Sequence, residues 1–363
     1  MLAEADLVPY LLRHELINAR SVVEGDLTVL NASRRNHNFG ILRKRGQSYL
    51  LKQGTDPERN ASIANEAKVY QFFHSDTQSD EFIRYLPRYF GYDPDEHLLI
   101  VEFMTDAKDL QEHHARCGRF STKIAASIGD ALSLLHRKSW RNGIGNGQIF
   151  IHQPPLVLSI HQPDLRIFLG ISEANIQVTK IVQHYSEFCD LLDKLRQEWK
   201  AEAFIHFDFK WDNCLVSVSE RNTTLKIIDW ELAGLGDPIW DVGSVFSAYL
   251  SFWLFFIPIT AETPPAQSLQ LARYPLEKMQ PALRSFWRSY VRGMKLDSIA
   301  AEQLLVRAVK YGAARLAQTS WEQMQTSPEL TGNIVSSLQL SLNILKRPTE
   351  ASSNLLGIPL LSN

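Results

Sequence analysis

The segment IHFDFKWDNCLV, residues 205–216, mixes aromatic side chains that suit a protein core with charged and amide side chains that suit water. Alternation of this kind in a loop beside the core is typical of packing, because large aromatics are most stable when buried. We therefore expect the aromatics to anchor the loop, with a ligand-stacking surface as the alternative, and the polar side chains to carry chemistry. The aromatics are Phe207, Phe209 and Trp211, and the polar residues are His206, Asp208, Lys210, Asp212 and Asn213.

Bulk composition is that of an ordinary globular protein. The chain has 363 residues, which is too long for one small core and predicts two units or one large bilobal unit. A hydrophobic share of 45% with a charged share of 21% excludes a disordered or fibrous chain. The formal net charge of -2 provides no overall field that would recruit nucleic acid or an anionic membrane.

Cysteine usage and the N-terminal residues both favour a cytoplasmic protein. Cys117, Cys189 and Cys214 are odd in number and far apart, which indicates reduced thiols and not a disulfide framework. The opening residues lack a basic start and a long apolar stretch, so no signal peptide is expected.

The run VGSVFSAYLSFWLFFIPI, residues 242–259, is uncharged and barely long enough to span a membrane. Asp237 and Asp241 precede it, Pro258 lies inside its end, and no basic residues flank it to set an orientation. A buried core helix is therefore predicted in preference to a membrane span.

Periodicity places strands first and helices later. A short amphipathic helix precedes three β-rich runs and a helix that begins at Asp56 and Pro57. A strand at 97–104 follows, and we place the lobe boundary between residues 103 and 104. Residues 104–363 are predicted to be mostly helical, with one long helix at 173–200, a hairpin after the opening segment, and a loop or docked extension at the C-terminus. The β-rich runs are residues 27–33, 38–44 and 48–54.

The polar residues of the opening segment have the spacing of a phosphate-handling site. His206, Asp208 and Asn213 follow H-x-D-x-x-x-x-N, the catalytic-loop spacing of kinase-type phosphotransferases. Asp229 lies sixteen residues after Asn213, across the predicted hairpin. The oxygen atoms of these two side chains are suitable ligands for Mg²⁺ beside ATP phosphates.

Two upstream residues complete the pattern. Lys52 ends the third predicted strand and Glu66 lies on the next helix, the arrangement in which a lysine grips nucleotide phosphates and a glutamate orients it. The chain thus has, in this order, a strand lysine, a helix glutamate, a linker strand, a catalytic loop and a metal aspartate. Such an order is difficult to obtain by chance.

These segments resemble the aminoglycoside phosphotransferase and choline kinase-like family over roughly residues 25–250. The resemblance is carried by IHFDFKWDNCLV, by IIDWELAGLGDPIWDVG and by LSLLH ending at His136. It implies a bilobal α+β protein-kinase-like fold, with a small antiparallel-sheet N-lobe plus one helix and a larger, mainly helical C-lobe. The family positions after the metal aspartate are Trp230, Glu231, Gly236, Asp237, Pro238 and Asp241.

The resemblance also implies ATP and Mg²⁺ as cofactors and a role for each site residue. Asp208 would accept or orient the hydroxyl proton of the acceptor, and Lys210 would reach the transferring phosphate. The backbone from Glu102 to Met104 would bind adenine. The implied nucleotide contacts are Lys52, Glu66, Glu102, Met104 and Asn213, the Mg²⁺ ligands Asn213 and Asp229, and the loop supports His206 and Asp241.

This chain departs from the family pattern in the catalytic loop and in the nucleotide cover. The family usually has glycine between the loop histidine and aspartate, where this chain has Phe207. The stretch NASRRNHNFG lacks a glycine-rich phosphate cradle, and Arg34 or Arg35 would either contact phosphate there or lie in solvent. Lys44, on the preceding strand, is the alternative to Lys52.

The expected reaction is transfer of the γ-phosphoryl group of ATP to a hydroxyl of a small molecule such as an antibiotic, a sugar or an amino alcohol. An ordinary protein kinase is disfavoured, because only seven residues separate Asp229 from Asp237 where a peptide-binding activation segment belongs. Two alternatives stay open. One is a Ser/Thr kinase acting on a precursor peptide in lanthipeptide-like maturation, and the other is a non-catalytic pseudokinase scaffold.

Overall fold

The computed structural model describes residues 2–31, 37–75, 81–137, 151–163, 171–219, 222–259, 270–325, 327 and 329–360. Contacts divide the described residues into two compact units. The N-terminal unit takes its residues from Met1–Lys108 and Asn213–Ala233, and the C-terminal unit takes its residues from Asp109–Arg141, Ile149–Asp212 and Gly234–Asn363. The chain therefore passes from one unit to the other within the catalytic loop segment, between Asp212 and Asn213.

An antiparallel sheet forms the centre of the N-terminal unit, with strand order β1-β2-β3-β5-β4. The three predicted β-rich runs and the strand after them are confirmed. The sequence did not predict β4, because this half-buried strand lacks a regular apolar alternation and its pairing shifts register between Tyr89 and Gly91. The strands are β1 (Leu27–Asn31), β2 (His37–Arg43), β3 (Tyr49–Gln53), β4 (Tyr89–Asp93) and β5 (Leu98–Glu102).

Three helices and a hairpin complete the N-terminal unit. The helices are α1 (Leu7–Arg13), α2 (Ala19–Val23) and α3 (Pro57–Ser75), and the hairpin strands are β8 (Cys214–Val218) and β9 (Thr223–Ile227). Helix α1 packs on the sheet core through Leu7, Tyr10 and Leu11. The predicted start of α3 is confirmed, because the Asp56 carboxylate accepts a hydrogen bond from the Arg59 N–H at 3.0 Å.

The C-terminal unit is mainly helical, as predicted. Its helices are α4 (Leu110–Cys117), α5 (Thr122–Arg137), α6 (Glu173–His184), α7 (Ser186–Gln197), α8 (Pro238–Phe255), α9 (Leu276–Met294), α10 (Ser298–Gln323), α11 (Gly332–Lys346) and α12 (Pro348–Asn354). A two-stranded sheet of β7 (Ala203–Ile205) and β10 (Gly234–Gly236) leads into the catalytic loop, and β6 (Lys108–Asp109) marks the start of the unit.

One prediction for this unit was wrong. The long helix expected at 173–200 is two helices, because Tyr185 has an extended backbone (φ -104°, ψ 94°) that ends α6 before α7 begins. The C-terminal tail is a docked extension, which was one of its two predicted forms: Pro348 starts the short helix α12, and Leu356 and Ile358 after it are buried.

The apolar run forms α8, and the predicted buried core helix is confirmed, since most of its residues are buried. Within the part of the chain that the structure describes, no helix combines the length and apolar character that crossing a membrane requires. Helix α8 lies very close to α10, because a Cβ placed on Gly243 would come within 2.7 Å of the Gly312 backbone nitrogen. This contact fixes α10 next to the helix that follows the catalytic loop.

Candidate active site

Lys52 is the centre of a buried ion-pair cluster in the N-terminal unit. Its Nζ lies 3.0 Å from Glu66 Oε1, 2.9 Å from Glu66 Oε2 and 3.1 Å from Asp229 Oδ1. The Glu66 side chain is only 1% exposed, whereas that of Asp229 is 33% exposed. Lys44 is exposed and donates to the Gly25 carbonyl, so it takes no part in the cluster. The structure therefore brings Lys52, Glu66 and Asp229 together.

The charges of this cluster are unequal, with two carboxylates for one ammonium. Burial by itself lowers the pKa of Lys52, but the negative charges of Glu66 and Asp229 raise it by more, so the net shift is upward. Burial also raises the pKa of Glu66, against the opposing effect of the Lys52 charge. Lys52 consequently stays protonated at any physiological pH, beside a partly exposed carboxylate.

Asn213 and Asp229 lie at the open end of the β8–β9 hairpin. The Asn213 carbonyl accepts a hydrogen bond from the Ile228 N–H at 3.0 Å, which holds the two chain segments side by side. Asp229 has φ of 66°, in the left-handed region that aspartate tolerates better than most residues. Their side chains offer oxygen atoms, and the cluster has an uncompensated negative charge. These residues therefore fit Mg²⁺, which prefers oxygen ligands and anionic surroundings.

Helix α3 fixes the chain that follows Asp229. The Asn65 amide donates to the Glu231 carbonyl at 2.9 Å and to the Ala233 carbonyl at 3.2 Å, and the Ser62 hydroxyl donates to the Glu231 carboxylate at 2.8 Å. These contacts lock the segment on which the predicted metal aspartate lies to the helix that carries Glu66.

Glu102 and Met104 are predicted to offer backbone groups to adenine; Glu102 is the last residue of β5, and Met104 follows two residues later. The Glu102 carboxylate accepts a hydrogen bond from the Arg88 N–H at 3.0 Å, and its own N–H donates to the Arg88 carbonyl at 2.8 Å. The Met104 carbonyl accepts the Ala107 N–H at 3.3 Å. Among the described residues, no group accepts the Met104 N–H, which leaves this donor available to a ligand.

In the C-terminal unit, Asp241 on α8 binds the backbone of the catalytic loop. Its Oδ2 accepts the His206 N–H at 2.7 Å, and its Oδ1 accepts the Phe207 N–H at 3.0 Å. His136 Nε2 lies 3.4 Å from the same carboxylate. Asp241 and His206 are fully buried. Because hydrogen bonds to a buried charge are among the stronger ones, Asp241 holds the loop in one conformation.

Asp237, one turn earlier, caps α8 and is held by α10. Its carboxylate accepts the Ile239 N–H at 3.1 Å, which makes it the N-cap of α8, and the Tyr311 hydroxyl at 3.1 Å. Arg307 forms an ion pair with the same carboxylate. Burial raises the pKa of Asp237, and the Arg307 charge opposes this effect.

Asp208, the predicted catalytic carboxylate, is held between two cations. Lys210 Nζ lies 2.6 Å from Asp208 Oδ2, and Arg315 Nη2 lies 3.1 Å from Asp208 Oδ1. Burial by itself lowers the pKa of Lys210, but the charge and the hydrogen bond of Asp208, together with the charge of Glu322, raise it by more. The pKa of Arg315 likewise rises despite its burial, because Glu322 and Asp208 are both close. Both cations therefore stay charged beside Asp208.

Sequence reasoning did not find Arg315. It lies on α10, 107 residues from Asp208 along the chain, and no local motif announces the contact. One signal was present, since Arg315 is the only charged residue in the apolar run GAARLA, residues 312–317. A buried arginine requires a paired partner, so this position predicts an acidic neighbour without naming it.

Phe207 has φ of 70°, in the region that normally selects glycine. Its ring stacks on that of His152, with centroids 4.0 Å apart and planes 6° apart, and its carbonyl accepts the Trp240 indole N–H at 2.8 Å. At the position where the family has glycine, this chain therefore has Phe207 in a strained backbone conformation, which stacking and hydrogen bonds maintain.

The other two aromatics of the loop are buried, so the packing prediction is confirmed for Phe209 and Trp211. The Trp211 ring lies 4.6 Å from that of His114 and 4.7 Å from that of Tyr249. Burial in this apolar cluster lowers the pKa of His114 to about 4.

Arg34 and Arg35, which the sequence places in the stretch before β2, lie outside the described residues.

Three solved structures are similar to this chain. A microcompartment-associated aminopropanol kinase matches with a TM-score of 0.53 at 16% identity, over 97% of this chain and 99% of that one. Amicoumacin kinase hAmiN, solved with AMP-PNP, Ca²⁺ and Ami, matches with 0.52 at 13% identity, over 92% and 94%. A choline kinase from Streptococcus pneumoniae matches with 0.48 at 12% identity, over 92% and 99%. Among curated proteins, no sequence matches this chain.

The fold is thus the bilobal protein-kinase-like α+β fold, as predicted. The model of the phosphotransferase enzyme family matches residues 26–284, which is more than half of the sequence. The chain belongs to this phosphotransferase family, and the predicted resemblance is confirmed.

Proposed function

We propose that the protein transfers the γ-phosphoryl group of ATP to a hydroxyl group of a small molecule, with Mg²⁺ as cofactor. The observation that carries the proposal is the buried Lys52 ammonium, held by Glu66 and Asp229 at 2.9 to 3.1 Å. A lysine kept charged and fixed in this way suits the phosphates of a nucleotide. Membership of the phosphotransferase family supports the same class of reaction.

In the proposed reaction the acceptor oxygen bonds to the γ-phosphorus while the bond from that phosphorus to the β–γ bridging oxygen breaks, and ADP leaves. The acceptor proton passes to the Asp208 carboxylate and then to solvent. Lys210, 2.6 Å from Asp208 and with a side chain 39% exposed, turns to the transferred phosphoryl group. Asn213 and Asp229 would hold Mg²⁺, which when bound neutralises phosphate charge.

The remaining site residues bind the nucleotide and support the loop. The Met104 N–H and the backbone of Glu102 receive adenine, while Asp241 and His206 keep the catalytic loop in place. We propose that the enzyme acts in the cytoplasm, with lobes divided at 1–103 and 104–363.

A small-molecule acceptor is favoured over a peptide. The structural relatives with the higher TM-scores are named as aminopropanol and amicoumacin kinases. The seven residues between Asp229 and Asp237 leave no length for a peptide platform. A pseudokinase is disfavoured, because Lys52, Asp208 and Asn213 are all retained.

The test is transfer of label from γ-labelled ATP to a panel of sugars, amino alcohols, antibiotics and Ser/Thr peptides. Wild type is expected to label one small-molecule class. The substitution Asp208→Asn should lower kcat by about 10²- to 10⁴-fold, because it removes the proton acceptor and keeps the shape. Mg²⁺-ATP should still raise the Tm of this variant as it does for wild type.

Normal turnover by the Asp208→Asn variant would show that Asp208 is not the proton acceptor. Labelling of peptides alone would support the maturation-kinase alternative. Nucleotide binding without any labelled acceptor would support the pseudokinase.

A further inference from the structure

Arg315 contacts the proposed catalytic carboxylate from inside the C-terminal unit. Its side chain is only 4% exposed, and its two terminal nitrogens bind different acids. Nη2 lies 3.1 Å from Asp208 Oδ1, and Nη1 lies 3.1 Å from both Glu322 Oε1 and Oε2. A further contact joins Nη1 to the Thr319 hydroxyl at 3.2 Å. The guanidinium is therefore oriented by groups on its own helix and presents one edge to Asp208.

The two cations on Asp208 differ in their freedom to move. Lys210 is a flexible side chain that is 39% exposed, whereas Arg315 is enclosed in a long helix and fixed by Glu322. The planar guanidinium is pre-organised to keep its direction when it binds two partners, whereas a lysine ammonium is a point charge on a flexible stem. Asp208 Oδ1 is thus fixed by the rigid Arg315 side chain, whereas Asp208 Oδ2 contacts Lys210, whose side chain can move away.

We propose that Arg315 is a positioning residue, which holds Asp208 Oδ1 so that Oδ2 can receive the acceptor proton when Lys210 moves to the phosphoryl group. Glu322 acts through Arg315, because it neutralises and orients the guanidinium. The inference rests on the proposed function, in which Asp208 acts on the acceptor hydroxyl.

The test compares Arg315→Met, Arg315→Lys and the matched control Arg307→Met in the full-length protein. Arg307 lies two turns earlier on α10, where it pairs with Asp237. Arg315→Met should lower kcat by about 100-fold while KM for ATP changes less than about threefold, because misplacing a reacting group by ~1 Å costs on this order. Arg315→Lys should recover part of kcat, and Arg307→Met should lower Tm but keep kcat.

Removal of Arg315 leaves Glu322 without its cation, so the single variant is at risk of misfolding. If Arg315→Met misfolds, the double variant with Arg315→Met and Glu322→Gln, which removes both charges, is measured instead. Its kcat is compared with that of the single variant Glu322→Gln. The same loss of kcat is expected in the folded double variant.

Wild-type kcat in folded Arg315→Met or in the double variant would overturn the inference and leave the proposed function standing. Equal losses of kcat in Arg315→Met and Arg307→Met, in proportion to their losses of Tm, would show a purely structural role and also overturn it. A wild type that labels no acceptor and whose Tm does not respond to Mg²⁺-ATP would instead refute the proposed function, and the inference with it.

Discussion

Replacing Phe207 by glycine and by alanine isolates the backbone strain in the catalytic loop. Both substitutions delete the ring, so the loss of stacking on His152 is common to them and cancels in the comparison. What differs is the Cβ at a residue with φ of 70°. Alanine keeps the strain of the left-handed conformation, and glycine relieves it.

The expected difference follows from two opposing effects. A left-handed conformation costs a residue with a Cβ roughly 1–2 kcal/mol. The glycine variant avoids this cost but loses roughly 0.4–1 kcal/mol of stability, because its unfolded chain is more flexible. Phe207→Gly should therefore be more stable than Phe207→Ala by roughly 0.5–1 kcal/mol, although at ordinary backbone positions alanine is the more stable of the two.

The measurement is urea unfolding of the two variants, with midpoints compared only where the slopes agree. The matched control is Val218, an exposed strand residue with ordinary φ, where Val218→Ala should be more stable than Val218→Gly. An alanine variant at position 207 as stable as the glycine variant, or more so, would refute the argument that this loop stores strain.

Two further predictions concern charge. The pKa of His114 is about 4 when folded against 6.5 for the free side chain, so the unfolded chain binds a proton between these values and the folded protein does not. The free energy of unfolding that depends on neutral His114, about 3 kcal/mol, is complete above pH 6.5 and is lost as pH falls towards 4. In His114→Phe the urea midpoint should therefore change less with pH over that window. The substitution Glu66→Gln should weaken Mg²⁺-ATP binding about tenfold by calorimetry, because Lys52 loses one of its two charged partners and keeps only Asp229. Lys44→Met, at the exposed lysine, should leave the affinity unchanged, and equal losses in both variants would contradict the assignment of Lys52.

The N-terminal half of the site was predictable because its signals are local. Periodicity placed the strand that Lys52 ends and the helix that carries Glu66, and the kinase-type order of a strand lysine and a helix glutamate selected the two residues. Asp229 followed from the hairpin that separates it from Asn213. Only the structure shows that Lys52 Nζ lies between the carboxylates of Glu66 and Asp229.

What escaped prediction depends on contacts between distant residues. Arg315 meets Asp208 only because α8 and α10 pack closely at Gly243 and Gly312, and pattern within one helix contains no such information. The break between α6 and α7 falls at Tyr185, which is neither proline nor glycine, so no local signal marked it. The roles of the site residues stay predictions until the variants are measured.

The division of the N-terminal unit between two chain segments has a consequence for biosynthesis. Lys226 donates to the carbonyls of Arg84 and Leu86, and Asn65 donates to that of Glu231, so the hairpin shares its hydrogen bonds with the sheet-bearing segment. On the ribosome the first 108 residues emerge without these partners. The unit can reach its final structure only after Ala233 has been synthesised, which is more than a hundred residues of translation after Lys108.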